Sequence, residues 1–252
     1  MKTLENKVAI ITGGGSGIGK AIAILYAAEG AKIVVSDLNE QGGNETVSEI
    51  KANGGEAIFV KTDTSKPDDS KNVVEQAVNQ FGGLHIAVNN AGIGGPLNSV
   101  GEYPIEGWDK VIAVNLSGVF YGLRYQIPAM LTSGGGSIVN IASILGKVGT
   151  KGSPAYVAAK HGVVGLTKNA ALEYSAKGIR VNAIGPAFIN TPLLSDAGMS
   201  DDIKQSVLVP LHPIGRLGES KEVAELVIWL SSDKASFVSG SYYAVDGGYL
   251  AR

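Results

Sequence analysis

The chain contains no cysteine among its 252 residues. Disulfides, thiolate metal sites and cysteine nucleophiles are therefore excluded, and a reducing compartment is weakly favoured. Charged residues make up only 17%, and 21 Lys plus Arg nearly cancel 23 Asp plus Glu, which leaves a net charge of −2. With so balanced a charge, we expect neither nucleic acid nor an anionic membrane surface as a partner.

Long apolar runs are also missing. The first apolar run, residues 8–11, is too short for the core of a signal peptide. No apolar stretch approaches the ~18 residues that cross a bilayer. We therefore expect a soluble, cytoplasmic protein that does not bind membranes. The three histidines, His85, His161 and His212, are too scattered along the sequence to predict a metal site, so no metal is expected.

Short β-branched runs alternate with longer stretches of helical period, which is the pattern of βαβ units around a parallel sheet. Strands are predicted at 8–12, 32–36, 57–61, 86–89, 137–141, 180–184 and 242–245, and helices at 18–29, 40–53, 68–81, 108–131, 156–175 and 221–231. Several of these strands are almost continuously apolar, as strands covered on both faces are. The sequence predicts an α/β fold, a doubly wound parallel sheet of about seven strands with helices on both faces.

Glycine is the residue in excess, at 35 of 252 residues, about twice the usual ~7%. Because 44% of the residues are apolar, the chain can bury a core, and its glycines are expected to serve a folded backbone. Gly30, Gly54, Gly82 and Gly178 each lie at or just past a predicted helix end, where a left-handed residue is expected.

No internal repeat, charge run or long linker divides the chain, so residues 1–252 are predicted to form a single domain. One stretch, residues 186–218, is irregular: it is rich in Pro, Gly, Ser and Asp but carries apolar residues such as Phe188, Leu194 and Met199. A long segment of this kind after a strand is typical of a lid over a binding site.

The junction between the first strand and the first helix reads Thr12-Gly13-Gly14-Gly15-Ser16-Gly17-Ile18-Gly19. It does not fit the dinucleotide fingerprint GxGxxG at any start position, but it fits TGxxxGxG with glycines at 13, 17 and 19. A tight glycine turn into a helix N-terminus suits a pyrophosphate, because the backbone can approach it and the free N–H groups favour anions. The alternative is that this glycine loop is only a structural turn and binds no ligand.

Asp37 follows the second predicted strand, 18 residues after Gly19. That spacing is close to the ~20 residues expected for a carboxylate that binds the adenosine ribose. Such a carboxylate accepts hydrogen bonds from the ribose hydroxyls and repels a 2′-phosphate, and its neighbours Leu38 and Asn39 provide no cation. We therefore expect NAD(H) in preference to NADP(H). The other role for Asp37, as N-cap of the next helix, is compatible with ribose binding.

Three further motifs follow in order: Asn89-Asn90-Ala91-Gly92, Ser143 with Tyr156-x-x-x-Lys160, and Gly185-Pro186-Ala187. Together with the glycine loop they resemble the motifs of the classical short-chain dehydrogenase/reductase family, from residue 7 to Asp246-Gly247-Gly248. The resemblance implies a single-domain Rossmann fold and a nicotinamide cofactor. One departure is Ala187, which stands where the family has glycine and cannot adopt every glycine conformation.

The resemblance also implies which residues contact the cofactor. Asp63 is expected beside the adenine, and residues 89–92 are expected to line the cofactor cleft. The full set of expected cofactor contacts is Gly13, Ser16, Gly17, Ile18, Gly19, Asp37, Leu38, Asp63, Thr64, Asn90, Ala91, Gly92, Tyr156, Lys160, Pro186, Ile189 and Thr191.

By the same resemblance, Asn115, Ser143, Tyr156 and Lys160 match the family's catalytic tetrad. Tyr156 and Lys160 lie four residues apart in a predicted helix, so both project from one face. A tyrosine with a pKa near ~10 is a poor base at neutral pH, and we expect Lys160 to lower that pKa. Ser143 is expected to donate to the substrate oxygen. In the family's pattern, Asn115 holds a water that links Lys160 to solvent.

These residues predict an oxidoreductase that transfers a hydride between NAD(H) and a ketone or secondary alcohol, with Tyr156 as general acid/base. The expected substrate pocket is mostly apolar and suits an uncharged small molecule with hydrophobic substituents. Its expected lining is Ile93, Ile144, Leu145, Val148, Tyr156, Phe188, Leu193, Leu194 and Met199.

Two alternatives are less favoured. A 3-oxoacyl-[acyl-carrier-protein] reductase resembles this chain, but residues 127–138 carry no Lys or Arg to bind an acidic carrier, and Asp37 opposes NADPH. A non-catalytic dinucleotide sensor would be expected to have lost Tyr156 or Lys160, and both are present. The family resemblance further implies a homotetramer, with the helices that start near Trp108 and Tyr156 on one two-fold axis and the last helix and strand on another.

Overall fold

The structure, a computed structural model, describes residues 2–196 and 198–251. Met1, Arg252 and Ala197, which is part of the expected lid, lie outside the described residues. Within the described part of the chain, no helix combines the length and apolar character that crossing a membrane requires.

The seven predicted strands form one parallel sheet, and most of their bounds agree with the prediction to within one residue. They are β1 (Val8–Thr12), β2 (Lys32–Asp37), β3 (Ala57–Lys61), β4 (Ile86–Asn89), β5 (Gly136–Ile141), β6 (Ile179–Pro186) and β7 (Tyr242–Val245). Their order in the sheet is β3-β2-β1-β4-β5-β6-β7. The direction of winding reverses between β1 and β4, and ligands bind at such a switch point in open α/β sheets.

Helices cover both faces of the sheet. They are α1 (Gly17–Ala28), α2 (Glu40–Ala52), α3 (Pro67–Phe81), α4 (Ile105–Ile112), α5 (Gly118–Thr132), α6 (Pro154–Tyr174), the short α7 (Pro192–Asp196) and α8 (Asp201–Ile203), and α9 (Ser220–Ser231). One core contains buried residues of α1, α2 and α9, and the other contains those of α3, α5 and α6. The strands supply both cores by alternation: in β1, Ala9 and Ile11 face the first, and Val8 and Ile10 the second. The prediction of a doubly wound α/β fold is confirmed.

The prediction of a single helix at 108–131 is wrong in two respects. The helix begins earlier, at Ile105, and a π-helical turn, Ala113–Ser117, separates α4 from α5. Asn115 is buried in this turn. Apolar periodicity reports which face of a helix is buried, and it does not reveal one extra residue inserted into a turn.

Backbone conformation explains several of the glycines. Gly30, Gly54, Gly82 and Gly178 have φ of 90°, 80°, 84° and 82°, which confirms the predicted left-handed helix ends. Ala187 needs no such freedom: Asn6 is the one non-glycine residue with positive φ among residues 2–196 and 198–251. The replacement of the family's usual glycine by Ala187 therefore introduces no backbone strain here.

Candidate active site

The glycine loop leads from β1 into the N-terminus of α1. Gly13 and Gly17 have φ of 66° and 52°, a region that side chains disfavour. A Cβ on Gly19 would collide with the carbonyl of Gly13, so Gly19 allows the loop to pack closely on the helix. Ser16 precedes α1 without a side-chain capping bond, which leaves the first N–H groups of the helix directed at the cleft, where they favour an anion.

A network of hydrogen bonds fixes the glycine loop to the loop after β4. The hydroxyl of Thr12 accepts from the N–H groups of Asn90 (2.9 Å) and Ala91 (3.0 Å). The side-chain amide of Asn90 donates back to the carbonyls of Thr12 (2.9 Å) and Gly13 (3.2 Å). Thr12 and Asn90 therefore hold both loops of the cleft in one arrangement.

The carboxylate of Asp37 lies at the end of β2 and is fixed by the backbone. Its oxygens accept from the N–H groups of Gly15 (2.8 Å) and Asn39 (2.8 Å). Asn39, and not Asp37, is the N-cap of α2, because its side chain accepts from Gly42 N (3.1 Å). The alternative role of Asp37 as an N-cap is therefore wrong, and its remaining acceptor sites face the cleft.

The cleft at the switch point has a volume of about 710 Å³. The predicted cofactor residues that line it are Gly13, Ser16, Gly17, Ile18, Asp37, Leu38, Asp63, Thr64, Asn90, Ala91, Gly92 and Thr191. Gly19 supports the loop and does not line the cleft. Asp109 and Lys110 of α4 also line it, as does Val114. No local motif predicted these three residues, because their position depends on how α4 and the turn after it pack against α6.

A second cavity, of about 280 Å³, contains the predicted catalytic residues Ser143, Tyr156 and Lys160. It shares Ile18, Gly92 and Thr191 with the cofactor cleft, so the two spaces adjoin. Pro186 and Ile189, predicted as cofactor contacts, line this second cavity. Its apolar lining includes Leu97, Ile144, Leu145, Phe188, Leu193, Leu194 and Met199. The predicted lining residues Ile93 and Val148 are not part of it, and Leu97 was not predicted.

Lys160 and Tyr156 come from adjacent turns of α6. The ammonium of Lys160, which is buried, donates to the carbonyl of Ile141 (2.8 Å) and lies 5.4 Å from the centre of the Tyr156 ring. The side chain of Ser143 is hydrogen-bonded to Tyr156. A Cβ on Gly92 would lie 3.7 Å from Lys160 Nζ and 3.2 Å from Asn115 Oδ1. The four predicted catalytic residues thus lie around Gly92 and the end of β5.

Asn115 contacts the backbone of the loop after β4 with its whole amide. Its Nδ2 donates to Ile93 O and its Oδ1 accepts from Ile93 N, both at 2.8 Å. The side chain therefore holds the loop just beyond Gly92, a role that the sequence did not predict. The role expected for Asn115 in holding a water stays a prediction.

Burial shifts the pKa of the two ionisable groups in the cavity, Tyr156 and Lys160. It raises the pKa of Tyr156 above its ordinary value, and the hydrogen bond with Ser143 offsets this only in part. It lowers the pKa of Lys160 to about 8. The expected lowering of the Tyr156 pKa by Lys160 is thus wrong for the protein alone, because desolvation of the phenol outweighs the other effects.

Histidines take no part in this site. His161 is exposed and bonds to Val157 O, whereas His212 is buried and bonds to Leu208 O. Over residues 2–196 and 198–251, no group of three or more His, Cys, Asp or Glu side chains could hold a metal ion.

The chain is similar to known proteins both in sequence and in structure. A family model described as Enoyl-(Acyl carrier protein) reductase matches residues 13–250. A cyclohexanol dehydrogenase from Acinetobacter sp. (strain SE19) is 54% identical over 98% of this chain and 96% of its own. A 2,5-dichloro-2,5-cyclohexadiene-1,4-diol dehydrogenase from Sphingobium indicum is 44% identical over the full length of both chains. The crystal structure of a short-chain type dehydrogenase/reductase from Mycobacterium marinum superposes with a TM-score of 0.94, at 32% identity over 99% of this chain and 97% of that one.

Proposed function

The chain belongs to the short-chain dehydrogenase/reductase family, and on that premise we propose that it oxidises small, uncharged cyclic secondary alcohols and reduces the matching ketones. Membership makes it an oxidoreductase that acts on CH–OH groups with a nicotinamide cofactor. One observation carries the proposal: an apolar cavity of about 280 Å³ adjoins the cofactor cleft and contains Ser143, Tyr156 and Lys160.

The lining of the cavity favours a compact uncharged ring. Its volume of about 280 Å³ is just below the ~300–1,000 Å³ usual for small-molecule sites. Among the described residues that line it, Lys160 is the one charged side chain, and its ammonium is engaged by Ile141 O. Apart from this one buried ammonium, the mostly apolar lining offers a substrate carboxylate little in exchange for its hydration. The relatives named for cyclohexanol and for a cyclohexadiene diol support a six-membered ring.

The cleft residues fit a nicotinamide dinucleotide, and NAD(H) is the preferred form in this proposal. The positive φ of Gly13 and Gly17 and the close packing of Gly19 on the Gly13 carbonyl shape the turn, and the N-terminus of α1, which has no side-chain cap, favours a pyrophosphate. Asp37 supports the choice of NAD(H), because its fixed carboxylate binds ribose hydroxyls and repels a 2′-phosphate.

In the proposed mechanism, the cofactor supplies the hydride acceptor for oxidation and the hydride donor for reduction. The hydroxyl of Ser143 binds the substrate oxygen, and the hydroxyl of Tyr156 takes the alcohol proton in oxidation or returns it to the oxygen in reduction. Lys160, fixed at Ile141 O, places a positive charge beside the Tyr156 ring, where it favours the phenolate. The raised pKa of Tyr156 keeps it protonated at neutral pH, which suits it to donate a proton to a ketone.

Exposed apolar side chains support the expected homotetramer. Phe120 on α5 is 49% exposed and Leu172 on α6 is 86% exposed, and Trp229 on α9 and Phe237 are also exposed. Large apolar side chains on the faces of these helices suit burial between copies of the chain. We propose that α5 and α6 form one interface and α9 another.

A substrate panel tests the proposed function. The purified protein is assayed for oxidation of cyclohexanol, of a hydroxycyclohexanecarboxylate and of a linear secondary alcohol, each with NAD and with NADP. We expect the highest kcat/KM for cyclohexanol with NAD and the lowest for the carboxylate. Turnover of an acetoacetyl thioester with NADPH in preference to all three would instead favour the acyl-carrier-protein reductase.

A further inference from the structure

Tyr242, at the start of β7, reaches the catalytic centre from two strands away. Its hydroxyl donates to the carbonyl of Ser143 at 2.9 Å. Strand β6 lies between β5 and β7, so the phenol must pass over β6 to reach a residue that follows β5. The side chain thus links the edge of the sheet to a residue of the proposed site.

Gly185 provides the passage over β6. Tyr242 is aligned with Ala183, and Gly185 lies two residues further along the same face of β6. A Cβ added to Gly185 would overlap the hydroxyl and the ring of Tyr242. Because Gly185 has no side chain, the phenol can occupy that space.

Ser143 needs support of this kind because it lies beyond the sheet. The pairing of β5 with β6 ends at Ile141, and Ala142 donates the last backbone hydrogen bond, to Ile184 O. The carbonyl of Ser143 accepts from Gly146 N (2.9 Å) within its own turn, and Tyr242 adds a tie to the rest of the sheet. The Ser143 hydroxyl accepts from Leu145 N (3.2 Å), which leaves its proton to be donated within the site.

We propose that Tyr242 is a positioning residue that, by holding the Ser143 carbonyl across Gly185, sets the direction of the Ser143 hydroxyl for proton and hydride transfer. The inference rests on the proposed function, in which Ser143 binds the substrate oxygen. Tyr242 itself does not line the cavity and acts through Ser143.

The surroundings of Tyr242 keep its hydroxyl protonated, as the hydrogen bond to the Ser143 carbonyl requires. Burial and the nearby charge of Asp246 raise the pKa of Tyr242 to about 12, so the hydroxyl keeps its proton over the working pH range. The ammonium of Lys147 lies 4.9 Å from the centre of its ring and holds the ring from outside.

A double-mutant cycle tests the inference with four proteins: the wild type, Tyr242→Phe, Ser143→Ala and the double variant. Losing one hydrogen bond of about 1 kcal/mol corresponds to a loss of about fivefold. We expect Tyr242→Phe to lower kcat for cyclohexanol oxidation by about fivefold, with the KM for NAD unchanged. In the Ser143→Ala background, the same change should have no further effect, because the group that it positions is gone.

Two more variants control the cycle. Tyr243→Phe makes the same chemical change on the opposite face of β7, where Tyr243 packs against Trp229, and should keep full activity. Gly185→Ala fills the space of the Tyr242 hydroxyl and should reproduce the loss seen with Tyr242→Phe. Melting temperatures within a few degrees of the wild type show that the variants are folded.

The outcomes separate the two proposals. An equal loss from Tyr242→Phe in both backgrounds, or no loss in either, would overturn the positioning role while the proposed function stands. Full activity of Ser143→Ala, or no alcohol oxidation by the wild type, would overturn the proposed function and the positioning role with it.

Discussion

At the scale of single residues, burial sets the chemistry of the site. It raises the pKa of Tyr156 and lowers that of Lys160, so the protein favours the neutral form of both groups. The sequence placed these residues on one helix face, but their degree of burial depends on β5, α6 and the loop after β4 packing together. For that reason the sequence predicted that Tyr156 and Lys160 lie together, but it predicted the direction of the Tyr156 pKa shift wrongly.

The buried lysine gives the stability of the protein a predictable pH dependence. The pKa of Lys160 is lowered to about 8 from 10.5, so between these values the unfolded chain binds more protons than the folded one. Stability gained from Lys160 is thus present at high pH and is lost as the pH falls through about 8. From pH 8 to 10, the free energy of unfolding of the wild type should rise by about 2 kcal/mol relative to Lys160→Met.

Urea unfolding at several pH values measures this difference. Lys168→Met, which removes an exposed lysine of the same helix, is the matched control and should follow the wild type. A constant difference between the wild type and Lys160→Met across this range would contradict the burial of a titrating lysine.

Asp37 should decide between the two cofactors. In Asp37→Ser the carboxylate that repels a 2′-phosphate is gone, while a hydroxyl remains to accept the Gly15 N–H. The ratio of kcat/KM with NADP to kcat/KM with NAD should therefore rise by at least about tenfold, the equivalent of about 1.4 kcal/mol. Asp68→Ser, on the exposed first turn of α3, should leave that ratio unchanged. An unchanged ratio in Asp37→Ser would remove Asp37 from the ribose.

At the scale of elements, strands and loop motifs were predictable, and the contacts between distant elements were not. The apolar runs predicted the bounds of β1 to β7 almost to the residue, because the residue types of each strand reflect how deeply that strand is buried. The π-helical turn at Asn115 and the passage of Tyr242 over Gly185 left no local signal. Both depend on residues brought together only by the folded sheet.

The π-helical turn should be important for the loop after β4. Asn115→Leu would leave the N–H and carbonyl of Ile93 without their present partners. We expect the free energy of unfolding to fall by about 2–4 kcal/mol and the KM for NAD to rise, as buried polar groups lose their bonds. Asn169→Leu, which removes a surface bond to Glu173, should change the free energy by less than about 0.5 kcal/mol. Equal stability of the two variants would show that Asn115 does not hold the loop.

At the scale of the whole molecule, the sheet order brings the cofactor cleft and the substrate cavity together at the carboxyl ends of the strands. The cleft lies over β1, β2 and β4, and the cavity lies over β5 and β6. The fold class and the presence of a nicotinamide cofactor follow from the motifs of the sequence. The apolar lining of the cavity includes Phe188, Leu194 and Met199, which belong to the segment that the sequence predicted only as an irregular lid.

The proposed homotetramer is a prediction about the whole molecule. Sedimentation equilibrium should give four times the 25.9 kDa mass of one chain. Leu172→Glu replaces an exposed apolar side chain of α6 with a charged one and should reduce the mass to that of a smaller assembly. Val78→Glu places the same charge on α3 and should leave the mass unchanged. A monomeric wild type would contradict the proposed interfaces.

The most direct test of the central proposal is the steady-state rate of cyclohexanol oxidation with NAD by the wild type and by Tyr156→Phe. Phenylalanine keeps the ring and its packing but removes the hydroxyl that takes the alcohol proton. Because a general acid or base contributes ~10²–10⁴-fold, we predict that kcat/KM falls by at least about 10²-fold while the melting temperature stays within a few degrees. A Tyr156→Phe variant as active as the wild type would contradict the assignment of Tyr156 as the general acid/base.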